Sequence, residues 1–173
     1  MPIIIIIIAI AGIAIVAKGG IMPSVSSSQM SQWDSLCISN SEASQNLLPE
    51  EIKAIIAIES SGNPNSQNPN DPSYGLMGVT MYIGREFAGV SSSSDLFVPE
   101  TNVQAGSGFL DYLKTKYADR FPLNTSDGWV QMYNLGEPRF LKGERVPSYL
   151  SKFNSFVPQF SGDFSGSGVS GSF

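Results

Sequence analysis

The sequence contains no histidine and only one cysteine, Cys37, among its 173 residues. Without histidine, hydrolases that activate a serine or cysteine nucleophile with an imidazole base are excluded. One thiolate cannot complete a zinc site alone, and a lone cysteine forms no internal disulfide. The chemistry that remains is that of carboxylates, hydroxyls and amides, so neither a metal nor a cofactor is expected.

Charged residues are also scarce: they make up 14% of the chain, and the formal net charge is −5. Nucleic-acid binding needs a basic stripe, and this acidic chain offers none, so no nucleic-acid partner is expected. At about 100–200 residues per domain, the length corresponds to one folded domain with appendages.

A long apolar run stands at the N-terminus, where residues 1–17 carry no charged side chain and six consecutive isoleucines occur. A bilayer core takes roughly 17–25 apolar residues, a length the run reaches if Lys18 extends to the headgroups. We therefore predict a transmembrane helix over residues 1–22, with the membrane as a partner. Two alternatives stay open. The first is a cleaved signal peptide, although the basic residues that usually begin one are missing here. The second is a buried core strand, although such strands rarely exceed about ten residues.

Serine- and glycine-rich segments flank the middle of the chain. Residues 23–45 are rich in serine and are predicted to form a linker, with a short docking turn around Trp33. Residues 161–173 form a Gly/Ser tract, which buries too little apolar surface to order itself and is predicted to be a flexible tail. The domain itself is predicted at residues 46–160, enough for one core.

Helical patterns dominate this predicted domain. In residues 47–60, Pro49 and two glutamates precede isoleucines at helical spacing, as at a helix start. Further helices are predicted over residues 76–87, 102–117, 128–135 and 146–156. Strand patterns are scarce, so the predicted fold class is mainly α.

Glu59 is the carboxylate that points most clearly to chemistry. It stands in the last turn of an isoleucine-rich helix, next to Ser60 and before a polar loop. A carboxyl between an apolar face and a cleft is desolvated, which raises its pKa and keeps it protonated as a general acid requires. The alternative is a solvent-facing glutamate at a helix end, where the helix dipole slightly disfavours its charge.

Four short motifs occur in order along the chain and resemble those of one enzyme family. They are Glu59-Ser60 after an apolar helix, Gly75-Leu76-Met77-Gly78, Pro99-x-x-Asn102-x-x-x-Gly106 and Met132-Tyr133-Asn134. In this order and spacing they resemble the lytic transglycosylases with a soluble-lytic-transglycosylase (SLT, goose-lysozyme-like) domain. The resemblance covers residues 47–156 and implies a lysozyme-like SLT-type fold.

The resemblance also implies roles for individual residues. Glu59 would be the catalytic acid/base, and Ser60 would hydrogen-bond near it and help to orient it. Tyr133 and Asn134 would line the cleft, with Tyr133 near the carboxyl of Glu59. Gly75, Leu76 and Met77 would form the turn against which the sugar or peptide stem packs. Tyr74 is a candidate from its place beside this turn, and not from the resemblance: it either stacks on a sugar ring or packs in the core.

Asn102 and Gly106 would position the helix behind the site. The chain departs from the family at Gly78, where a glutamine that contacts substrate is usual, so one hydrogen bond to the glycan is in doubt. Met132 replaces the usual alanine, which exchanges one apolar residue for another.

A single acid is sufficient for the reaction that the resemblance implies. The substrate would be the peptidoglycan glycan strand, cleaved at the β-1,4 bond between N-acetylmuramic acid and N-acetylglucosamine. Its own C6 hydroxyl would attack C1, leaving a 1,6-anhydromuramyl end. Conventional glycoside hydrolysis uses two carboxylates, and Asp71, in the loop after Glu59, is the best-placed second one.

Several alternatives stay open. Water could attack instead, as in a muramidase, or the chain could be a weak or inactive wall-binding or virion structural protein. The polyisoleucine segment could also be the functional part. The expected setting is membrane-anchored, either in a membrane-containing phage virion with virion partners or at a bacterial inner membrane facing the periplasm with envelope partners.

Overall fold

The computed structural model describes residues 25–69, 71–121 and 126–165. The α-helices are α1 Ser27–Met30, α2 Asp34–Ala43, α3 Pro49–Ser60, α4 Met81–Ala88, α5 Pro99–Lys116, α6 Trp129–Leu135, α7 Glu137–Leu141 and α8 Pro147–Ser161. Short 3-10 turns occur at Ser31–Trp33, Ser93–Phe97 and Gly162–Phe164. The predicted mainly helical fold is confirmed.

Two terminal predictions concern residues that the structure does not describe. The membrane helix predicted over residues 1–22 and the end of the predicted tail, residues 166–173, lie outside the described residues. Within residues 25–69, 71–121 and 126–165, no helix combines the length and the apolar character needed to span a bilayer.

Helix α3 runs through the centre of the core. Pro49 begins it, and the Glu51 side chain accepts a hydrogen bond of 2.9 Å from the Leu48 backbone N–H, which caps the first turn. Its isoleucines Ile52, Ile55 and Ile56 are all fully buried. The helix packs mainly against α8 and α2, so it is held from two sides.

Helix α5 forms the second long element and packs against α4 and α6. Val103, Phe109, Leu110 and Leu113 are buried along one face, as the helical spacing predicted. Pro99 occupies the first turn, so the helix begins three residues earlier than predicted.

The structure differs from the linker predicted over residues 23–45. Residues 27–43 form α1, a 3-10 turn and α2, and Met30, Trp33 and Cys37 are buried in the core. The Trp33 indole N–H donates a 3.1 Å hydrogen bond to the Gly62 carbonyl oxygen. The three apolar residues are spaced at three and four positions, which places them on one helix face despite the serine-rich composition.

The start of the predicted tail is also part of the folded domain. Helix α8 continues to Ser161, and the turn that follows buries Phe164. Asp163 accepts a 2.7 Å bond from the ammonium of Lys53, which also bonds to Asp34 at 2.5 Å. Because Lys53 is fully buried, these two carboxylates balance a charge inside the core.

A small hairpin lies between α3 and α4. Strand β1, Ser73–Tyr74, pairs antiparallel with β2, Val79–Thr80. The predicted helix over 76–87 therefore begins only at Met81, because Gly75 and Gly78 adopt positive φ angles of 74° and 60° that form the hairpin turn.

Candidate active site

Glu59 lies in the last turn of α3, where the helix stops and the polar loop begins. Ser61 ends the helix in the left-handed conformation, with φ of 54°, and its backbone N–H bonds to the Ala57 carbonyl oxygen. The preceding turns are buried, whereas Glu59 is half-buried. The carboxyl therefore stands at the boundary between the core and solvent.

Tyr149 of α8 holds this carboxyl. Its hydroxyl donates a 2.6 Å hydrogen bond to Oε1 of Glu59, and its ring is buried. Burial and the nearby charge of Glu59 raise the pKa of Tyr149 well above its usual value, so the phenol keeps its proton and remains a donor. The close packing of α3 against α8 sets this contact.

The pKa of Glu59 is raised to about 7, chiefly because burial disfavours the charged carboxylate. The hydrogen bond from Tyr149 and the positive charge of Lys152 oppose this rise, while the negative charge of Asp71 adds to it. A carboxyl with this pKa exchanges its proton readily near neutral pH. It is suited to act first as an acid and then as a base.

The hairpin turn beside Glu59 is held by Asn102, which is fully buried on α5. Its side-chain oxygen accepts a 2.8 Å bond from the Met77 N–H, and its amide donates to the Tyr74 and Leu96 carbonyl oxygens at 2.8 and 2.7 Å. A Cβ on Gly75 would lie 2.2 Å from the Asn102 amide nitrogen, so this position accepts only glycine.

Tyr133 supports the same turn from α6. Its hydroxyl donates a 2.8 Å hydrogen bond to the Met77 carbonyl oxygen. Burial, followed by the charge of Glu59, raises the pKa of Tyr133 well above its usual value, so Tyr133 lies within electrostatic range of the carboxyl. Gly106 completes the support, because a Cβ there would approach the Met77 sulfur to 2.7 Å.

Gly78 lies directly against the carboxyl. A Cβ at this position would be 2.8 Å from Oε2 of Glu59 and 3.3 Å from its Cδ. The motif residue that departs from the family is therefore a neighbour of the acid itself.

The structure brings Glu59, Tyr133 and the Gly75–Gly78 turn together, as the motifs predicted. Ser60 differs from its expected role: its hydroxyl donates to the Ile56 carbonyl oxygen and accepts from the Gly62 N–H, both at 3.1 Å. It therefore stabilises the end of the helix that carries Glu59, and makes no bond to the carboxyl.

Other candidates lie deeper than expected. Leu76 and Met77 are fully buried, so their side chains pack in the core and only the backbone of their turn borders the site. Tyr74 is half-buried, and its ring meets Phe97 edge-on at 5.6 Å between centroids. Asn134 is buried on α6, at 6% exposure.

Tyr149 is the functional residue that sequence reasoning missed. It lies on the same helix as the buried residues Phe153, Phe156 and Phe160, at spacings typical of a core face. In the sequence, a tyrosine in such a row cannot be distinguished from an ordinary core residue, because the neighbours of the helix are not yet known. The polar end of the side chain is the one signal that it needed a partner.

Comparison with known proteins agrees with this geometry. The transglycosylase SLT domain family matches residues 36–154, and the chain belongs to that family. The resemblance to lytic transglycosylases, and with it the predicted class of enzyme, is thereby confirmed at the level of the family.

A solved structure gives the same fold. It is the 70 kDa soluble lytic transglycosylase SLT70 from Escherichia coli, which matches with a TM-score of 0.56 at 20% identity. The match covers 72% of this chain and 22% of that one, so this chain is similar to a part of the larger protein. The lysozyme-like SLT fold is thus shared, whereas the activity is argued from the site.

Proposed function

We propose that the chain is a peptidoglycan lytic transglycosylase that cleaves the β-1,4 bond between N-acetylmuramic acid and N-acetylglucosamine. The observation that carries the proposal is the carboxyl of Glu59, half-buried, hydrogen-bonded by Tyr149 and with a pKa of about 7. Membership of the transglycosylase SLT domain family supports the substrate class.

In this mechanism Glu59 first donates its proton to the glycosidic oxygen, and the bond between that oxygen and C1 of the muramyl residue breaks. The resulting Glu59 carboxylate then takes the proton of the C6 hydroxyl of the same sugar. The hydroxyl oxygen bonds to C1, giving a 1,6-anhydromuramyl end and restoring the protonated acid. Tyr149 holds the carboxyl in place through both steps and donates to its charged form.

Hydrolysis of the same bond is the second candidate, and Asp71 is the observation that favours it. Asp71 is buried, and its negative charge acts on Glu59. A second carboxylate close to the acid is what an enzyme uses to activate an attacking water. Under this alternative the product carries a hydrated reducing end.

Digestion of purified peptidoglycan by the full chain, followed by mass spectrometry of the fragments, tests the two candidates. Anhydromuramyl products that disappear with Glu59→Gln are expected. Hydrated reducing ends that disappear with Asp71→Asn would select hydrolysis instead. Binding to the wall without any cleavage would refute both and support a wall-binding or virion structural protein.

We also propose that the chain acts while anchored in a membrane through residues 1–22, supported by the uncharged isoleucine-rich run. A phage virion with a lipid membrane and a bacterial inner membrane facing the periplasm are the two settings that suit a local wall-cleaving enzyme. The test is flotation of the full chain with liposomes. A chain lacking residues 1–22 should stay at the bottom of the gradient, and equal flotation would refute the anchor.

A further inference from the structure

The two oxygens of the Glu59 carboxyl have different surroundings. Oε1 accepts the 2.6 Å hydrogen bond of Tyr149, whereas none of the described residues donates a hydrogen bond to Oε2. Every fully buried side-chain oxygen of the described residues that are not exposed has a hydrogen-bond partner. Because Oε2 has none among these residues, it is not fully buried and has some contact with solvent. One oxygen is held by the protein, and the other is partly exposed and has no donor among the described residues.

Gly78 is the residue that borders the open oxygen. A Cβ built there would have three Glu59 atoms as its nearest neighbours, with Oε2 closest at 2.8 Å. A methyl group on this backbone would therefore press against the carboxyl, so that Oε2 is covered or the end of the Glu59 side chain has to shift. The φ of 60° makes glycine favourable as well, but that conformation alone does not explain the contact.

We propose that Gly78 keeps Oε2 of Glu59 uncovered, so that Oε2 is the oxygen that exchanges protons with the substrate while Tyr149 holds Oε1. This inference rests on the proposed function and deepens it by assigning separate tasks to the two carboxyl oxygens. Gly78 acts through Glu59, and it is a positioning residue that controls access. The chain therefore has no side chain against Oε2 at the position where the family resemblance leads one to expect a glutamine.

Gly89 provides a matched control. It also has a left-handed backbone, with φ of 63°, but a Cβ there would meet nothing within 4 Å. It caps α4 and has no contact with Glu59. Gly78→Ala and Gly89→Ala thus carry a similar conformational cost, and only the first places a methyl group against the carboxyl.

The first experiment compares cleavage of purified peptidoglycan by the full chain and the two variants. We expect Gly78→Ala to lower kcat/KM at least tenfold further than Gly89→Ala, with both variants folded by circular dichroism. Gly78→Gln should lose activity in the same way. Equal losses in the two alanine variants, or higher activity with glutamine at position 78, would overturn the proposal.

The second experiment needs no activity and separates this inference from the proposed function. The pKa of the Glu59 carboxyl is measured by ¹³C NMR titration in the full chain and both alanine variants. Tyr149, Lys152 and Asp71 act on this carboxyl, and its charge acts on Tyr133. These groups are present in all three proteins, so the added methyl group is the difference. Covering Oε2 removes water and should raise the pKa in Gly78→Ala alone.

An unchanged pKa in Gly78→Ala would refute the covering of Oε2, whether or not the wild-type chain cleaves peptidoglycan. A raised pKa together with a wild-type chain that cleaves nothing would instead refute the proposed function and leave the open oxygen established.

Discussion

At the scale of single residues, the acid strength of Glu59 is a balance that one hydroxyl group adjusts. Burial raises its pKa to about 7, and the hydrogen bond from Tyr149 works against that rise. Tyr149→Phe should therefore raise the pKa further and move the alkaline limb of the rate profile to higher pH. The maximal rate should fall roughly 10–100-fold, because a slightly misplaced catalytic group costs about that much.

Tyr133→Phe is the matched control for this variant. It also deletes one buried phenol hydroxyl, but that hydroxyl bonds to the Met77 carbonyl oxygen and not to Glu59. Its pH–rate profile should keep the wild-type limb, whatever its rate. An alkaline limb that stays in place with Tyr149→Phe would contradict the role assigned to the 2.6 Å bond.

The same raised pKa predicts how folding stability depends on pH. A glutamate ionises near pH 4.5 in the unfolded chain and near 7 in the folded one, so protons favour the folded state between these values. The protonated carboxyl therefore stabilises the folded state fully below about pH 4.5, and this stabilisation is lost as the pH rises through 7. At 1.36 kcal/mol per pH unit, the loss is on the order of 3 kcal/mol.

Urea unfolding of Glu59→Gln at pH 4.5 and pH 8 measures this term. Because glutamine cannot ionise, the free energy of unfolding of the variant should rise relative to that of the wild type only at pH 8. Glu86→Gln, at an exposed position on α4, removes the same charge as a control. If the gain of Glu59→Gln is the same at both pH values, Glu59 does not titrate abnormally in the folded chain.

At the scale of elements, local sequence patterns were sufficient to predict a helix that has its own start signal or a continuous apolar face. Helix α3 was predicted from Pro49 and its isoleucines, and α5 from its apolar spacing. Helix α2 was missed because three serines stand among its few apolar residues, and its burial depends on packing against α3 and α5. Composition describes a segment alone, whereas burial depends on its neighbours.

Lys53 joins three of these elements, since its ammonium bonds to Asp34 of α2 and to Asp163 after α8. It also lies over the Phe160 and Phe164 rings, 5.1 Å from each centroid. Lys53→Met should lower the free energy of unfolding by about 3 kcal/mol, since it leaves two facing carboxylates without their cation. Chemical denaturation at pH 7 measures the loss.

The triple variant Lys53→Met, Asp34→Asn and Asp163→Asn is the informative comparison. It removes the charges together, and it should recover most of the loss because a buried apolar side chain replaces a buried ion. A triple variant as unstable as Lys53→Met alone would mean that the lysine stem packs in a way methionine cannot reproduce, and that the charges contribute little.

At the scale of the whole molecule, the site is assembled from segments far apart in the chain. Glu59 comes from α3, its donor Tyr149 from α8, and the Gly75–Gly78 turn from a hairpin that Asn102 of α5 fixes. The motifs identified Glu59, the turn and Tyr133, because each carries a local sequence signal. Tyr149 stands 90 positions from its partner, and only the packing of α8 on α3 brings the two together.

The folded unit accordingly extends beyond the predicted limits of residues 46–160. Apolar side chains outside those limits are buried in the same core: Val25, Met30, Trp33, Cys37 and Phe164. Burying one such side chain contributes about 1.5–3 kcal/mol, so their sum approaches the total of roughly 5–15 kcal/mol that holds a domain folded.

We predict that a chain of residues 25–165 melts cooperatively, whereas one of residues 46–160 is largely unfolded at 25 °C. Circular dichroism melting curves of the two compare them directly, because both lack the same segments before residue 25 and after residue 165. Equal melting temperatures would mean that α1, α2 and the turn after α8 rest on the core without stabilising it. That result would mean that the predicted linker and tail add no stability, and that the helices which position Glu59 fold without them.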